Sequence, residues 1–126
     1  MKKVLILLLC ILVVTGCGTV RKRNKEKGTI TNITCDKKDE LLKEGAVLID
    51  VRNTDEYEEG HLDSSVNVPL SHISDIATYI TNLPKNGKII VYCKSGVRST
   101  EAAQELINMG YLNIYNLGAI TNCSAK

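Results

Sequence analysis

The stretch "KIIVYCKSGVRSTEAAQELINMGYLNIYNL", residues 88–117, combines a strand pattern, a loop, a helical pattern and a second strand pattern. Residues 88–92 and 112–117 are short and mostly apolar, which is typical of buried strands. Apolar side chains recur at helical spacing from Ser99 to Asn108, and Gly110 ends that pattern. A helix between two buried strands predicts an α/β fold, a parallel sheet with helices on both faces.

The residues before this stretch repeat the same alternation. "AVLID", residues 46–50, predicts another buried strand, and "VNVP", residues 66–69, predicts a short one closed by its proline. The other predicted elements are a helix over 36–44 capped by Asp36, an acidic helical turn over 53–60, and a helix over 71–83. Ligands of such sheets bind beyond the carboxyl ends of the strands, which is where Cys93 stands.

The N-terminus has the pattern of a secretory signal. Two lysines precede an apolar run from Val4 to Val14, and two small residues stand before Cys17. The run is shorter than the roughly 18 residues of a membrane span, so residues 1–16 are predicted to be a signal peptide. The ending "VTGC" resembles the bacterial lipobox. That resemblance implies that Cys17 carries lipid, such as palmitate, and anchors an extracytoplasmic lipoprotein to a membrane.

Residues 17–32 are predicted to be a flexible basic tether that follows the lipid. They hold five basic side chains, one acidic side chain and few apolar ones. Such a segment cannot bury enough apolar surface to order itself. Next to a lipid anchor, its charge favours contact with anionic headgroups.

The remaining residues, 33–126, are predicted to form a single domain with a negative net charge. The chain has 16 basic and 14 acidic residues; without the two lysines of the signal and the five basic and one acidic residues of the tether, 9 basic and 13 acidic residues remain, a net charge of −4. That balance excludes a nucleic-acid-binding surface. The two histidines, His61 and His72, and the cysteines lack the paired spacing of a zinc site. We therefore expect no metal and no cofactor.

The loop "CKSGVRS", residues 93–99, has the composition of an anion-binding turn around a cysteine. Gly96 permits backbone angles that other residues avoid, and the N–H groups of the loop and of the following helix start converge on one spot. Lys94 and Arg98 add positive charge there. A thiolate at Cys93 is an anion at that spot. The sequence therefore predicts a lowered thiol pKa and a nucleophilic cysteine rather than an inert buried one.

The same loop resembles the active-site loop of rhodanese sulfurtransferases, C-x-x-G-x-R-S. Two further stretches are similar to motifs of that family: "VLIDVRNTDEYEEGHLDSSVNVPL", residues 47–70, and "GYLNIYNLGAI", residues 110–120. The resemblance covers about residues 33–123 and implies a rhodanese-like fold with a five-stranded parallel sheet. It also implies a sulfurtransferase that moves a sulfane sulfur from an anionic donor, thiosulfate or polysulfide, to a thiol or cyanide acceptor through a Cys93 persulfide.

The resemblance also implies roles for the residues around Cys93. The predicted substrate-binding residues are Lys94, Ser95, Gly96, Val97, Arg98 and Ser99. Lys94 and Arg98 would steer the donor anion, and the two serines would donate hydrogen bonds. Asp50 and Arg52 match the "DVR" positions of the family and are expected to hold neighbouring loops in place. For His61 we expect a structural hydrogen bond, and for His72 a surface position.

The sequence departs from the family pattern in three regions. Ser64 and Ser65 replace the glycine and the alanine of the "GHI.GA" motif, and Ala119 replaces the second glycine of the closing "GG". The tryptophan that commonly follows is absent, with Asn122-Cys123 near its place. The departures near the chain end concern its packing, and all of them leave the Cys93 loop intact.

Three cysteines, Cys35, Cys93 and Cys123, remain in the domain. Because their number is odd, at least one thiol stays unpaired in an oxidising compartment. Cys123 has two interpretations. It is a small packing residue or solvated thiol, or it is a resolving thiol that accepts sulfur from Cys93 or protects it in a disulfide. Cys35 is the competing partner for such a bridge.

Two other functions fit this loop less well than sulfur transfer. A phosphate or arsenate enzyme of related architecture has five residues between cysteine and arginine, whereas Cys93 and Arg98 enclose four. Tyr92 also stands where such phosphatases usually have histidine. A non-catalytic rhodanese-like binding module usually lacks the cysteine. We therefore predict a sulfurtransferase, as a monomer whose partners are the sulfur donor, the acceptor and a membrane.

Overall fold

A computed structural model describes Gly18 and residues 23–123. The strands are β1 (Thr29–Asn32), β2 (Val47–Asp50), β3 (Ser65–Asn67), β4 (Lys88–Cys93) and β5 (Asn113–Ala119). The helices are α1 (Cys35–Lys43), α2 (Thr54–Glu59), α3 (Ile76–Tyr79) and α4 (Val97–Asn108), with 3₁₀ segments at Leu70–Asp75 and Ile120–Cys123. The strands form one sheet in the order β1-β5-β4-β2-β3, and every neighbouring pair is parallel. The predicted five-stranded parallel sheet is confirmed.

Both faces of the sheet are covered. Side chains alternate along β4, so that Ile89 and Cys93 belong to one buried cluster and Tyr92 to the other. The first cluster includes Leu106 of α4, and the second includes Leu41 of α1. The fold class predicted from the alternating pattern, helices on both faces of a parallel sheet, is therefore confirmed.

The start of α1 differs slightly from the prediction. The hydroxyl of Thr34 accepts a hydrogen bond from the Lys37 N–H at 3.3 Å, so Thr34 rather than Asp36 is the cap. Asp36 lies in the first turn of the helix, where a negative charge favours the N-terminus.

The single helix predicted over 71–83 is wrong. The chain forms the 3₁₀ segment, then the one-turn helix α3, and is extended again at Ile80. β-branched residues are frequent between 73 and 81, and they lose side-chain freedom in a helix. Ile73 and Ile76 are nevertheless fully buried, so the apolar pattern located core residues correctly while misjudging the backbone.

The tether predicted over 17–32 is too long at its C-terminal end. Residues 29–32 form β1, which pairs with the amino-terminal part of β5. Gly28 fits closely before it, because a Cβ there would lie 2.5 Å from the Tyr111 carbonyl oxygen. Residues 1–16 and Cys17 lie outside the described residues, so the signal and the lipid remain predictions. Within the described part, no helix is long and apolar enough to cross a membrane.

Ser64 has a left-handed backbone conformation, with φ +68°. This is the position where the family motif has glycine, and it is exposed. A non-glycine residue in this region costs about 1–2 kcal/mol. Glycine relieves this strain, but it also raises the conformational entropy of the unfolded chain, which offsets part of the gain in stability. Ser64→Gly is therefore expected to raise the free energy of unfolding by up to about 1 kcal/mol and the melting temperature by at most about 4–8 °C.

Thermal unfolding followed by circular dichroism measures this change. Asn82 is the matched control, because it also has a positive φ, +58°. Asparagine tolerates that conformation, so Asn82→Gly should gain less. A larger gain at Asn82 than at Ser64 would contradict the strain assigned to Ser64.

Candidate active site

The loop around Cys93 is shorter than predicted. β4 ends at Cys93, and α4 begins at Val97 rather than near Ser99. Gly96 occupies the N-cap position at φ +95°, a left-handed angle that lets the chain turn directly from the loop into the helix. Ser99 consequently lies in the first turn of α4, with its N–H group facing back toward the cysteine.

Two backbone N–H groups donate to the sulfur of Cys93. Gly96 N–H is 3.0 Å and Ser99 N–H is 3.3 Å from Sγ. Burial raises the pKa of the thiol, but hydrogen bonds from Ser99, Gly96 and Ser95 outweigh it, and the net pKa is lowered. The lowered thiol pKa agrees with the expectation from the loop sequence, and the role of Cys93 as a nucleophile stays a prediction.

The predicted substrate-binding residues differ in how far they are exposed. Ser99 is fully buried, whereas Lys94, Ser95 and Val97 are exposed at the outer side of the loop. Cys93 itself is buried in this conformation. The structure therefore brings all six predicted loop residues to one place, and their individual roles remain predictions.

Arg98 makes a contact that the sequence did not indicate. Its guanidinium donates two hydrogen bonds to the carboxylate of Glu56 in α2, at 2.8 and 3.0 Å. Hydrogen bonding to Arg98 lowers the pKa of Glu56, and the same bond raises the pKa of Arg98. Arg98 therefore joins the start of α4 to α2, and the charge of Cys93 further favours its cationic form.

For the sulfur transfer predicted at Cys93, Arg98→Ala should slow turnover with an anionic donor by about ten- to a hundredfold, since it removes the cation expected to attract that donor, a contact of about 1.5–3 kcal/mol. It should raise the pKa of Cys93 only modestly, because the backbone donors stay in place. The pH dependence of Cys93 alkylation measures the second effect. Glu56→Gln keeps the cation of Arg98 and removes only the negative charge opposite it, so the turnover of this variant should fall less. An equal loss in both variants would mean that Arg98 acts only through its link to α2.

Asp50 and Arg52 form a buried pair at the end of β2. The guanidinium of Arg52 donates to both carboxylate oxygens of Asp50 at 2.6 to 3.0 Å and to the carbonyl of Gly60 at 2.7 Å. Asn67 donates to the carbonyl oxygens of both residues at 3.0 and 2.9 Å. The pair thus ties the segment after α2 to the sheet, a geometry that suits the predicted supporting role.

The two histidines lie away from the sulfur contacts. His61 Nδ1 is 2.9 Å from the Tyr57 carbonyl oxygen, and its ring stacks on that of Tyr57 with centroids 3.8 Å apart. His72 is exposed and pairs with the Ser71 hydroxyl at 3.0 Å. In residues 23–123, no group of three His, Cys, Asp or Glu side chains is placed to hold a metal ion.

The side chain of Tyr92 holds residues 60–65, the segment that resembles the "GHI.GA" motif. Its hydroxyl donates to Ser65 Oγ at 3.0 Å and accepts from the Leu62 N–H at 3.1 Å. Burial raises the pKa of Tyr92 to about 12, so the phenol stays neutral. The Ser65 hydroxyl, which departs from the alanine of the family motif, completes this network.

Cys123 is bonded to Cys35 in a disulfide, with Cα atoms 5.2 Å apart. The competing bridge to Cys35 is therefore confirmed, whereas a free thiol at Cys123 and a resolving partner of Cys93 are wrong. The physical reason is the sheet: Cys123 packs against the cluster that contains Tyr92, whereas Cys93 belongs to the cluster on the opposite face. Among the described cysteines, only Cys93 keeps a free thiol.

A family model described as "Rhodanese-like domain" matches residues 34–124. Among solved structures, a rhodanese with anions from E. coli superposes with a TM-score of 0.58 at 32% sequence identity, over 64% of this chain and 94% of that one.

Curated relatives carry two kinds of name. The chain is 36% identical over 73 residues to the thiosulfate sulfurtransferase PspE of Escherichia coli strain K12, which covers 57% of this chain and 68% of that protein. It is 34% identical over 80 residues to a tRNA uridine(34) hydroxylase of Aster yellows witches'-broom phytoplasma, over 61% of this chain and 26% of that protein. The chain thus spans only about a quarter of the hydroxylase.

Proposed function

Because this chain belongs to the rhodanese family, we propose that it is a sulfurtransferase in which Cys93 takes a sulfane sulfur from thiosulfate or polysulfide and passes it to a thiol or cyanide. The thiosulfate sulfurtransferase among its relatives supports this choice of donor. The hydroxylase relative gives weaker support for a tRNA substrate, because the match covers only 26% of that protein.

The single observation that carries the proposal is the pair of N–H groups directed at Cys93 Sγ, at 3.0 and 3.3 Å. Donors fixed in this way stabilise a thiolate before any substrate binds. A non-catalytic binding module has no need of such an arrangement. The loop of three residues between β4 and α4 also favours a single sulfur atom over a tetrahedral oxyanion.

The chemistry follows in two half-reactions. The Cys93 thiolate attacks the outer sulfur of thiosulfate, the sulfur–sulfur bond of the donor breaks, and sulfite leaves with the electron pair. The persulfide that remains on Cys93 is again an anion next to the same N–H donors. An acceptor thiolate or cyanide then attacks the terminal sulfur, and Cys93 departs as a thiolate. The two steps restore the enzyme without an external oxidant or reductant.

The half-reaction without acceptor tests this scheme. The full-length protein mixed with excess thiosulfate should release about one sulfite per chain in a burst and then stop. Protein whose Cys93 is first alkylated with iodoacetamide should release none. If sulfite appears only after an acceptor is added, transfer would be direct and the persulfide intermediate would be wrong.

We also propose that the domain works outside the cytoplasm, attached to a membrane through lipid on Cys17. The Cys35–Cys123 disulfide supports this location, because such bonds persist in oxidising compartments and are rare in reducing ones. Labelling a bacterial host with a palmitate analogue should mark the full-length chain, and Cys17→Ser should remove the label. A labelled Cys17→Ser protein would contradict the anchor while leaving the chemistry of Cys93 untouched.

A further inference from the structure

Asn116 lies in β5 at a bulge beside the Cys93 loop. Asn116 pairs with Val91 of β4, but the next residue of β4 pairs with Gly118, so Leu117 is an extra residue on β5. A bulge of this kind bends its strand and redirects side chains. The bent segment packs against the loop, since a Cβ on Gly96 would lie only 3.7 Å from the Gly118 Cα.

A chain of hydrogen bonds runs from Asn116 to the loop. Asn116 Nδ2 donates to Thr100 Oγ1 at 3.1 Å, and the Thr100 hydroxyl donates to the Gly96 carbonyl at 2.8 Å. The other end of the same amide is also held, because Asn116 Oδ1 accepts from the Gly118 N–H at 3.0 Å. Asn116 as a whole is only 9% exposed, and both bonds of its amide are made within the protein.

The Gly96 carbonyl is the point where this chain meets the sulfur site. It also accepts from Ser99 Oγ at 3.1 Å and from the Thr100 N–H at 3.2 Å. Fixing this carbonyl fixes the turn into α4. Gly96 and Ser99, the two residues on either side of that turn, donate their N–H groups to Cys93.

We propose that Asn116 is a positioning residue for Cys93: through Thr100 it holds Gly96 and the first turn of α4 where their N–H groups meet the sulfur. The inference deepens the proposed function, because it names what keeps the donors in place. It assigns Asn116 no contact with substrate. Its effect on the sulfur passes through Thr100 and the Gly96 carbonyl.

Substitution of Asn116 or Thr100 leaves the charged side chains near the Cys93 loop unchanged. They are Arg98 of α4, which is held by Glu56 of α2, Lys94 of the loop, and the Asp50–Arg52 pair at the end of β2. Substitutions at Asn116 and Thr100 leave all of these charges present. A change in the titration of Cys93 therefore reports the position of the backbone donors.

The test measures how fast iodoacetamide alkylates Cys93 in the full-length protein at each pH, with peptide mass spectrometry as the readout. The pH at which the rate is half its maximum is the midpoint of thiol ionisation. Thr100→Val and Asn116→Ala should each raise the midpoint by about 0.3–1 pH unit, so that alkylation well below the midpoint falls about two- to tenfold. Because both substitutions break one chain of bonds, the double variant should shift no further than the larger single one. Thr100→Ser keeps the hydroxyl and should keep the wild-type midpoint.

Asn113→Ala is the matched control. It removes an amide from the opposite end of β5, where Asn113 Nδ2 donates to the Asn86 carbonyl at 2.7 Å. It should lower stability slightly and leave the midpoint unchanged. An unshifted midpoint in Thr100→Val, additive shifts in the double variant, or an equal shift in Asn113→Ala would each overturn the proposal. Thr100 is exposed, so its variant decides the question even if Asn116→Ala fails to fold.

The alkylation readout separates this proposal from the proposed function. Shifted midpoints in a protein that releases no sulfite from thiosulfate would keep the role of Asn116 and overturn sulfur transfer. Normal sulfite release with unshifted midpoints would do the reverse.

Discussion

Cys93→Ser should reduce sulfur transfer from thiosulfate to cyanide to below about a thousandth of the wild-type rate. A serine hydroxyl is not ionised near neutral pH and cannot carry a sulfane sulfur as a persulfide. The replacement keeps nearly the same shape, so the Gly96 and Ser99 N–H groups should still meet an acceptor atom at this position. Thiocyanate formation, measured by its coloured iron complex, gives the rate.

Cys17→Ser is the control for this loss, because it removes another cysteine of the full-length chain and leaves Cys93 in place. It should turn over normally in detergent solution. In the wild type, activity should fall as the pH drops through the Cys93 midpoint, which should lie below the usual thiol pKa of about 8.5. Persistent turnover in a folded Cys93→Ser protein would mean that another group carries the sulfur.

Removal of the Cys35–Cys123 disulfide should lower the free energy of unfolding by about 2–5 kcal/mol. The bond closes a loop with a sequence separation of 88 residues, and it joins the start of α1 to the last 3₁₀ segment. A cross-link over so long a loop removes much conformational freedom from the unfolded chain. For a domain of this size, the melting temperature should fall by about 10–25 °C.

Urea unfolding of the Cys35→Ala/Cys123→Ala double variant measures the change. Dithiothreitol should destabilise the wild type by a similar amount and leave the double variant unaffected, whereas Cys93→Ala should respond to dithiothreitol as the wild type does. Equal stability of the oxidised and reduced wild type would contradict a stabilising role for this bond.

Sequence patterns located the centre of the fold correctly, together with the loop that holds Cys93. The strand ending at Cys93 and the helix after it have strong apolar periodicity, and Gly96 marks the turn between them. β1 has no such signal: its sequence "TITN" is exposed along its whole length, because it is an edge strand held by backbone pairing with β5. A polar edge strand is indistinguishable from a tether when its partner is unknown.

Contacts between distant segments were the other part that patterns could not supply. Glu56 is one of several acids in α2, and only the fold shows that it meets Arg98. Three cysteines allow three pairings, and the sheet decides among them by placing Cys93 on the face opposite the other two. The bulge at Leu117, which brings Asn116 to Thr100, likewise depends on the register between β4 and β5.

The central claim, that sulfur transfer passes through Cys93, is tested most directly by the mass of the protein after one half-reaction. Full-length protein incubated with thiosulfate and then freed of small molecules should gain about 32 Da, the mass of one sulfur atom. Peptide mapping should place that sulfur on Cys93, and addition of cyanide should remove it as thiocyanate. An unchanged mass under conditions of active turnover, or an added sulfur on another residue, would contradict the account.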